Sequence, residues 1–104
     1  MTEFTKQCID IIKKIPMGEV ATYGDIALYA GNPRGARQVS RILHSMSKKH
    51  DLPWHRIINS KGTISLTGNG LELQKELLIS EGVEVDCNGK IDLSKYRTSY
   101  FELM

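Results

Sequence analysis

The stretch VATYGDIALYAGNPRGARQVSRILHSM, residues 20–46, contains the signals that decide the fold. Thr22, followed three positions later by Asp25, predicts a capping box at the start of a helix that ends at Gly31. GNPRG then predicts a short turn, and a further helix begins at residue 34 or 35 and ends at residue 46. Two helices joined by so short a turn indicate a helix-turn-helix.

Helical spacing of apolar residues extends to both sides of this motif. An amphipathic helix is predicted over residues 3–15 and is ended by Pro16 and Gly18, and another is predicted from about Leu71 to Ser80. The side chains expected to face inward on the four helices are Phe4, Cys8, Ile11, Ile12, Ile15, Ile26, Ala27, Ala30, Val39, Ile42, Leu43, Met46, Leu73, Leu77 and Leu78.

Two hairpins are predicted between and after these helices. HRIINS and TIS flank Lys61-Gly62, which indicates a short hairpin or wing. VEVDCNGKID places Asn88-Gly89 at a type I′ turn. The expected fold is therefore mainly α, a winged helix-turn-helix-like DNA-binding domain with short β-hairpins that forms one domain over residues 1–104.

Composition excludes several classes of protein. The chain has 104 residues, of which 25% are charged and 40% hydrophobic, as in a soluble globular domain. No apolar run approaches the roughly 20 residues of a membrane span, and the N-terminus lacks a signal-peptide layout. Two cysteines make no disulfide framework, so we expect an intracellular, cytoplasmic protein. The three histidines show no metal-ligand spacing, so neither a metal nor a cofactor is expected.

Positive charge is concentrated in the middle of the chain. Between Gly31 and Lys61 lie 7 of the 14 basic residues and 1 of the 12 acidic ones. Arg34, Arg37 and Arg41 fall at spacings of three and four, so they are predicted to share one helical face. This pattern indicates either a face for a polyanion or a solvated helix surface.

Three segments carry a family resemblance: IPMGEVATYGDIALYAGNPRGARQVSRI, PWHRIINSKGTIS and LELQKELLISEGV. Together, from about Phe4 to Val83, they resemble the DNA-binding domain of the O6-alkylguanine-DNA alkyltransferases, in the same order and with the same spacing. The chain departs from the enzymes at Trp54, because they have PCHR where this chain has PWHR. Met46 stands where the enzymes usually carry an asparagine that supports the active-site loop. The alkyltransferase-like subgroup, which lacks the acceptor cysteine, is the best match.

The chemistry of the enzymes requires the residue that Trp54 replaces. Alkyl transfer from guanine needs a soft thiolate with a lowered pKa, and indole has no free lone pair to attack with. His55 and Glu81 match the family's relay for the thiol, which here has nothing to activate. They are then expected to form a hydrogen-bonded pair that fixes a helix end against the loop, and the protein is not expected to be an enzyme.

The resemblance also implies which residues contact DNA. Tyr23 would press on the phosphate of the target nucleotide, and Arg37 would enter the stack in place of the flipped base. The implied DNA-binding set is Tyr23, Arg34, Arg37, Gln38 and Arg41. The implied lesion pocket is lined by Tyr23, Trp54, Arg56, Ser60 and Asn69.

The function implied by the resemblance is binding without repair. A monomer would hold O6-alkylguanine in double-stranded DNA by nucleotide flipping, shield the lesion and recruit nucleotide excision repair proteins. Two alternatives remain. One is a sequence-specific helix-turn-helix regulator, which predicts no preference for alkylated guanine. The other is a residual glycosylase, or a transferase that uses Cys8 or Cys87.

Overall fold

The computed structural model describes residues 1–103, with the side chains of residues 1–99, 102 and 103. Its helices are α1 (Glu3–Lys13), α2 (Tyr23–Tyr29), α3 (Ala36–His50), α4 (Gly68–Ser80), α5 (Leu93–Tyr96) and α6 (Tyr100–Leu103), and a 3₁₀ turn spans Trp54–Arg56. Two short strands, β1 (Ala21–Thr22) and β2 (Ile57–Ile58), pair in parallel. The mainly helical fold predicted from the sequence is confirmed.

The α2–α3 pair forms the predicted helix-turn-helix. Oγ1 of Thr22 accepts a hydrogen bond from the backbone N of Asp25 at 3.0 Å, and Oδ2 of Asp25 accepts one from the backbone N of Thr22 at 3.1 Å. The predicted capping box is therefore present. Gly35 immediately precedes α3, and a Cβ at this position would lie 2.8 Å from Cζ of Phe4 on α1. A side chain at residue 35 would displace the Phe4 ring and crowd the backbone carbonyl of Asn32, 3.1 Å away, so glycine favours close packing of the turn against α1.

The bounds of α3 differ from the prediction at both ends. Arg34 lies in the turn before the helix, so it is not on the helical face that carries Arg37 and Arg41. At the other end, α3 extends one turn beyond residue 46, through Lys48, Lys49 and His50. Positive side chains are favourable beside the free carbonyl groups of a helix C-terminus, which explains the longer helix.

Two hydrophobic cores lie on opposite sides of β2. The first core packs α1, α2 and α3 together and includes Ile57. The second core includes Ile58, together with Leu78, Val83 and Ile91. Successive side chains of a strand point in opposite directions, so the two residues of β2 serve one core each. No helix within residues 1–103 is long and apolar enough to cross a membrane.

The first predicted hairpin is wrong. Ile57 and Ile58 pair in parallel with β1 instead of folding back on the segment after Lys61-Gly62. The turn itself exists, since the backbone N of Asn59 donates to the carbonyl of Thr63 at 3.1 Å, but Thr63 then bridges to Lys90. Both isoleucines are fully buried, and a continuous apolar pair of this kind is typical of a buried parallel strand rather than of a hairpin with one wet face.

The second predicted hairpin also lacks paired strands within the described residues. A type I′ turn needs positive φ at both central residues, whereas of Asn88 and Gly89 only Gly89 has it, at 75°. The carboxylate of Asp86 accepts from the backbone N of Asn88 and of Lys90, at 2.9 and 2.8 Å. This side chain closes a type I turn followed by a left-handed glycine.

The fourth helix begins earlier than predicted and presents a different face. α4 begins at Gly68 rather than Leu71, and Leu73, predicted to face inward, is 48% exposed. Gln74 is buried instead, at 3% exposure, and its side-chain amide donates to the carbonyls of His55 and Ile57, each at 3.0 Å. The side-chain amide of Gln74 donates hydrogen bonds to the loop that holds Trp54, which explains why this interior position of α4 is polar.

The tail from residue 93 onward had no predicted structure and is integral to the fold. The backbone N of Val20 donates to the carbonyl of Tyr96 at 2.8 Å, and the backbone N of Thr98 donates to the carbonyl of Val20 at 2.7 Å. Leu103 is fully buried in the first core. The chain therefore returns to the start of β1 and to the helix-turn-helix.

Candidate functional site

A pocket of about 300 Å³ lies between α3 and the loop that follows it. Trp54 and Tyr23 form part of its wall, and both are half-buried and packed against the first core. The other lining side chains are Ser40, Leu43, His44, Ser47, Ile57, Leu66 and Gln74. An apolar, aromatic wall with a few polar groups is the usual lining of a pocket that binds a small planar ligand.

The backbone around Trp54 is held on both sides. The N–H of Trp54 donates to the carbonyl of Leu52 at 2.8 Å, and the N–H of Arg56 donates to the carbonyl of Pro53 at 3.0 Å. The indole meets the imidazole of His55 edge-on, with 6.1 Å between ring centroids and 86° between ring planes. The indole is therefore presented to the pocket by a tightly hydrogen-bonded turn, which favours a fixed wall over a mobile surface side chain.

Tyr23 enters the pocket from the first position of α2. Its hydroxyl lies 3.2 Å from Oγ of Ser65, within hydrogen-bond distance. The capping box fixes the first turn of α2 and, with it, the direction of the tyrosine side chain. The structure thus brings together the two aromatic residues that the sequence assigned to the pocket.

Exposed arginine side chains lie on the face of α3 that ends at this pocket. Arg37 and Arg41 are exposed one turn apart on α3, and Ser40 and His44 continue the same face into the pocket wall. Gln38 is exposed beside them. The cationic surface and the pocket therefore share one face of the molecule, as is required of a protein that contacts a backbone and a base together.

No ion pair in residues 1–103 occupies Arg34, Arg37 or Arg41. A guanidinium without an acidic partner remains available for phosphate, and three of them give a surface that attracts a polyanion.

Three residues assigned to the pocket from the sequence do not line it. The guanidinium of Arg56 turns away and binds Glu81. Ser60 is exposed in the turn that follows β2, and Asn69 is exposed in the first turn of α4. Of the five predicted pocket residues, the structure brings together Tyr23 and Trp54.

Glu81 is the centre of a part-buried charge network beneath the Trp54 turn. Its carboxylate lies 2.7 Å from Nε2 of His55 and accepts from Nε and Nη2 of Arg56, at 3.0 and 2.8 Å. The backbone N of Gly18 also donates to it at 3.2 Å, and Nη1 of Arg56 donates to the carbonyl of Ile15 at 2.9 Å. The network joins the end of α4, the Trp54 turn and the segment after α1, as expected of a pair that fixes a helix end against the loop.

The network keeps Glu81 ionised. Burial raises the pKa of this carboxyl, but hydrogen bonds from Arg56, His55 and the Gly18 N–H outweigh burial and lower the pKa from 4.5 to about 2. A fully ionised carboxylate between two basic side chains is a structural anchor.

Neither cysteine lies in the pocket. Cys8 is fully buried on α1, and burial raises the pKa of its thiol from 9.0 to about 11, which suppresses the thiolate needed for alkyl transfer. Cys87 is exposed in the turn closed by Asp86. Within residues 1–103 there is also no group of three or more His, Cys, Asp or Glu side chains that could hold a metal ion.

Most of the polar lining of the pocket was not predicted from the sequence. Ser40, His44 and Ser47 follow Arg37 at helical spacing, so the face that carries the arginines could have identified them. Leu66 and Gln74 come from the loop after β2 and from α4, and only the tertiary fold reveals their approach. A larger cavity, of about 700 Å³, is lined by Lys61 and by residues of the segment 84–96, and it contains none of the predicted site residues.

Comparison with known proteins identifies the family. Residues 3–83 match the family model for the DNA-binding domain of 6-O-methylguanine DNA methyltransferase. A relative named DNA base-flipping protein, from Escherichia coli, is 48% identical over 97 residues, which are 93% of this chain and 75% of the relative. Alkyltransferase-like protein 1 of Schizosaccharomyces pombe is 41% identical over 106 residues, covering 100% of this chain and 95% of that protein.

A solved structure agrees with these sequence matches. The crystal structure of S. pombe Atl1 in complex with damaged DNA containing O6-carboxymethylguanine superposes with a TM-score of 0.85 at 40% identity, over 95% of this chain and 97% of that one. A second structure of S. pombe ATL with DNA gives a TM-score of 0.83 at 39% identity, over the same shares of the two chains. The sequence matches and the superposed structures thus point to the same family. The chain belongs to the family of the 6-O-methylguanine DNA methyltransferase DNA-binding domain, among the alkyltransferase-like members.

Proposed function

We propose that this protein binds O6-alkylguanine in double-stranded DNA by flipping the nucleotide out of the stack, and that it does not transfer the alkyl group. The position of Trp54 is the observation that supports this proposal most directly. It lies in the wall of a pocket on the arginine face of α3, at the position where the enzymes of the family have their acceptor cysteine. The base would enter between Trp54 and Tyr23.

The energetics favour a damaged base over an intact one. Flipping costs on the order of a few kcal/mol, and less for a poorly paired base such as O6-alkylguanine. Stacking on Trp54 returns roughly 1–3 kcal/mol, and the arginines contribute affinity without sequence information. Arg37, in this proposal, fills the gap left in the stack and recovers part of the unstacking cost.

Binding and chemistry are separated by one experiment. A gel shift compares a duplex that contains O6-methylguanine with its unmodified twin, followed by mass spectrometry of the protein and analysis of the DNA. We expect tighter binding to the modified duplex, an unchanged protein mass and an intact lesion. Equal binding to both duplexes, with tight binding to one particular sequence, would instead establish a helix-turn-helix regulator, and a methyl gain on the protein would establish a residual transferase.

The proposal extends to what happens to the bound lesion. A protein that covers the base without repairing it shields the lesion from true alkyltransferases and leaves removal to nucleotide excision repair proteins, which we propose as its partners in the cytoplasm. Prior addition of the protein should slow repair of an O6-methylguanine duplex by an active alkyltransferase, and should raise incision by a reconstituted excision system. Size-exclusion chromatography with light scattering tests the monomer.

A further inference from the structure

The side chain of Arg97 forms hydrogen bonds with α2, the helix that carries Tyr23, although Arg97 lies outside the segment that matches the family model. Its Nε donates to Oδ2 of Asp25 at 2.9 Å, and its Nη2 donates to Oδ1 at 2.5 Å. This is the two-pronged arrangement in which guanidinium and carboxylate bind each other most strongly. The side chain of Asp25 is 8% exposed and that of Arg97 is 49% exposed, so the pair lies at the edge of the interior.

The same carboxylate caps α2. Oδ2 of Asp25 accepts the backbone N–H of Thr22 at 3.1 Å, while Thr22 caps the backbone N–H of Asp25. Tyr23 is one of the two residues, with Gly24, enclosed between the two halves of this capping box. A rotation of the Asp25 carboxylate would open the box, and the fork of Arg97 opposes that rotation.

The backbone on either side of Arg97 is anchored as well. Val20 donates to the carbonyl of Tyr96 at 2.8 Å, Thr98 donates to the carbonyl of Val20 at 2.7 Å, and Val20 and Arg97 form a parallel bridge. Val20 leads directly into β1 and then into α2. The guanidinium is therefore presented to Asp25 by a backbone segment that is bridged to Val20.

We propose that Arg97 is a positioning residue for Tyr23, which it holds in place through the capping carboxylate of Asp25. The inference rests on the proposed function, because Tyr23 is taken to contact the flipped nucleotide. Without Arg97, the buried carboxylate of Asp25 loses the two hydrogen bonds from the guanidinium, the first turn of α2 loosens, and Tyr23 loses its direction toward the pocket. The segment beyond Val83 then contributes to lesion recognition without touching DNA.

The test measures discrimination and the tyrosine separately. Arg97→Met keeps the length of the side chain and removes the fork, and Arg97→Lys restores the charge without the fork. Lys95→Met is the matched control, since Lys95 belongs to the same segment but pairs with Glu84 on the exposed surface. Binding of each variant to O6-methylguanine and unmodified duplexes gives the ratio of affinities. The ¹⁹F NMR signal of fluorotyrosine at position 23, assigned by its absence in Tyr23→Phe, reports on the ring in DNA-free protein.

We expect Arg97→Met to reduce the ratio of affinities by about fivefold or more, the lower end of coupling between sites in proteins. Arg97→Lys should fall between Arg97→Met and the parent, and Lys95→Met should match the parent. The Tyr23 signal should move in Arg97→Met, and Arg97→Met should have no further effect on the ratio in a Tyr23→Ala background.

Each contrary result overturns the inference in a different way. Equal weakening on both duplexes would mean that Arg97 contacts DNA itself, and a lower melting temperature with an unchanged ratio would mean that its role is structural alone. An undiminished effect in the Tyr23→Ala background would mean that it acts through another residue. If the parent protein showed no lesion preference, the proposed function would fall, while the ¹⁹F signal would still decide whether Arg97 positions Tyr23.

Discussion

In the proposed function, Trp54 contributes to binding only after a base has left the stack. Phosphate contacts act on any duplex, whereas the indole lies in the wall of a pocket that, in this proposal, receives a flipped base. Its contribution should therefore be seen in discrimination between duplexes and much less in overall affinity.

Trp54→Ala is expected to lower affinity for O6-methylguanine DNA by about 1–3 kcal/mol, the range of one lost base–aromatic stack. Affinity for the unmodified duplex should change little. Binding isotherms on the paired duplexes measure both values, and circular dichroism checks that the variant is folded. Equal weakening on both duplexes would assign Trp54 to the core instead of the pocket.

The three arginines differ in what a substitution removes. Arg37→Ala should weaken lesion binding by about 1–3 kcal/mol more than Arg34→Ala or Arg41→Ala, because it removes a group that stacks in the gap as well as a charge. A 2-aminopurine placed beside the lesion should brighten when the parent protein binds, and Arg37→Ala should reduce that rise. Equal losses for the three variants would leave Arg37 with phosphate contacts alone.

Glu81 links the stability of the Trp54 turn to pH. Its pKa is about 2 in the folded protein and 4.5 for an unperturbed carboxyl, so the folded state binds the proton less tightly than the unfolded state. The stabilisation is complete above pH 4.5 and is lost as pH falls toward 2, and the shift corresponds to about 3 kcal/mol.

Glu81→Gln should lower the free energy of unfolding at neutral pH by about 3 kcal/mol, because it leaves Arg56 part-buried without its counter-charge. Urea unfolding at a series of pH values should also show a weaker loss of stability in acid than in the parent. Glu84→Gln is the control: its partner Lys95 is 57% exposed and Glu84 is 81% exposed, so we expect a change below about 0.5 kcal/mol. Similar losses for the two variants would show that the Glu81 network contributes no more than a surface pair.

At the scale of elements, the sequence predicted what local signals encode. The capping box of Thr22 and Asp25 and the turn before α3 follow from residues within four positions of one another, and all were predictable. The first hairpin was predicted wrongly because its strand pairs with a partner that is distant in the sequence. Ile57 and Ile58 are fully buried between two cores, which favours β1 as their partner over the nearer segment after Lys61.

The residues of the candidate site also divide into those that local sequence motifs reveal and those that depend on contacts between distant parts of the chain. Trp54 and Tyr23 were predictable because each lies in a motif of the family. The sequence left Arg56 open between a pocket residue and a structural arginine, because Glu81, which binds it, lies 25 residues further along the chain and no local pattern shows that the guanidinium is already occupied. In the sequence, Gln74 is an ordinary polar residue. Its burial is explained by the backbone carbonyls of His55 and Ile57, which accept hydrogen bonds from its side chain.

The tail from residue 93 onward offered no clear pattern in the sequence, and yet its end completes the first core. Leu103→Ala is expected to cost about 2–5 kcal/mol of stability, as for other fully buried leucines. Leu73→Ala, at a 48% exposed position, should cost less than about 0.5 kcal/mol. Thermal and urea unfolding measure both. Equal, small effects would show that the last helix does not pack on the first core in solution.

Across the whole molecule, charge and pocket are arranged on a common side. Arg37 and Arg41 lie on the face of α3 that continues through Ser40 and His44 into the pocket wall, and the acidic residues from position 66 onward lie mainly on the segments that build the second core. Net charge is only +2, so attraction to DNA must come from this local distribution. A weakly charged protein with one cationic face orients the pocket toward DNA before any base is contacted.

The salt dependence of binding measures how much of that face meets the backbone. Of the seven basic residues between positions 31 and 61, Arg56 is bound to Glu81, which leaves six for phosphates. With about four or five contacts made, the slope of log affinity against log salt should be about −4, at roughly −0.9 for each phosphate.

Replacing Arg34, Arg37 and Arg41 by Gln should reduce the slope by about 3 units, whereas Lys48→Gln with Lys49→Gln, at the far end of α3, should reduce it by at most about 1. Isotherms on the unmodified duplex at several salt concentrations isolate this term, because no flipped base contributes there. A slope near zero in the parent, or a larger change from the lysine pair than from the arginines, would mean that DNA lies on a different face and that the pocket beside Trp54 is not its destination.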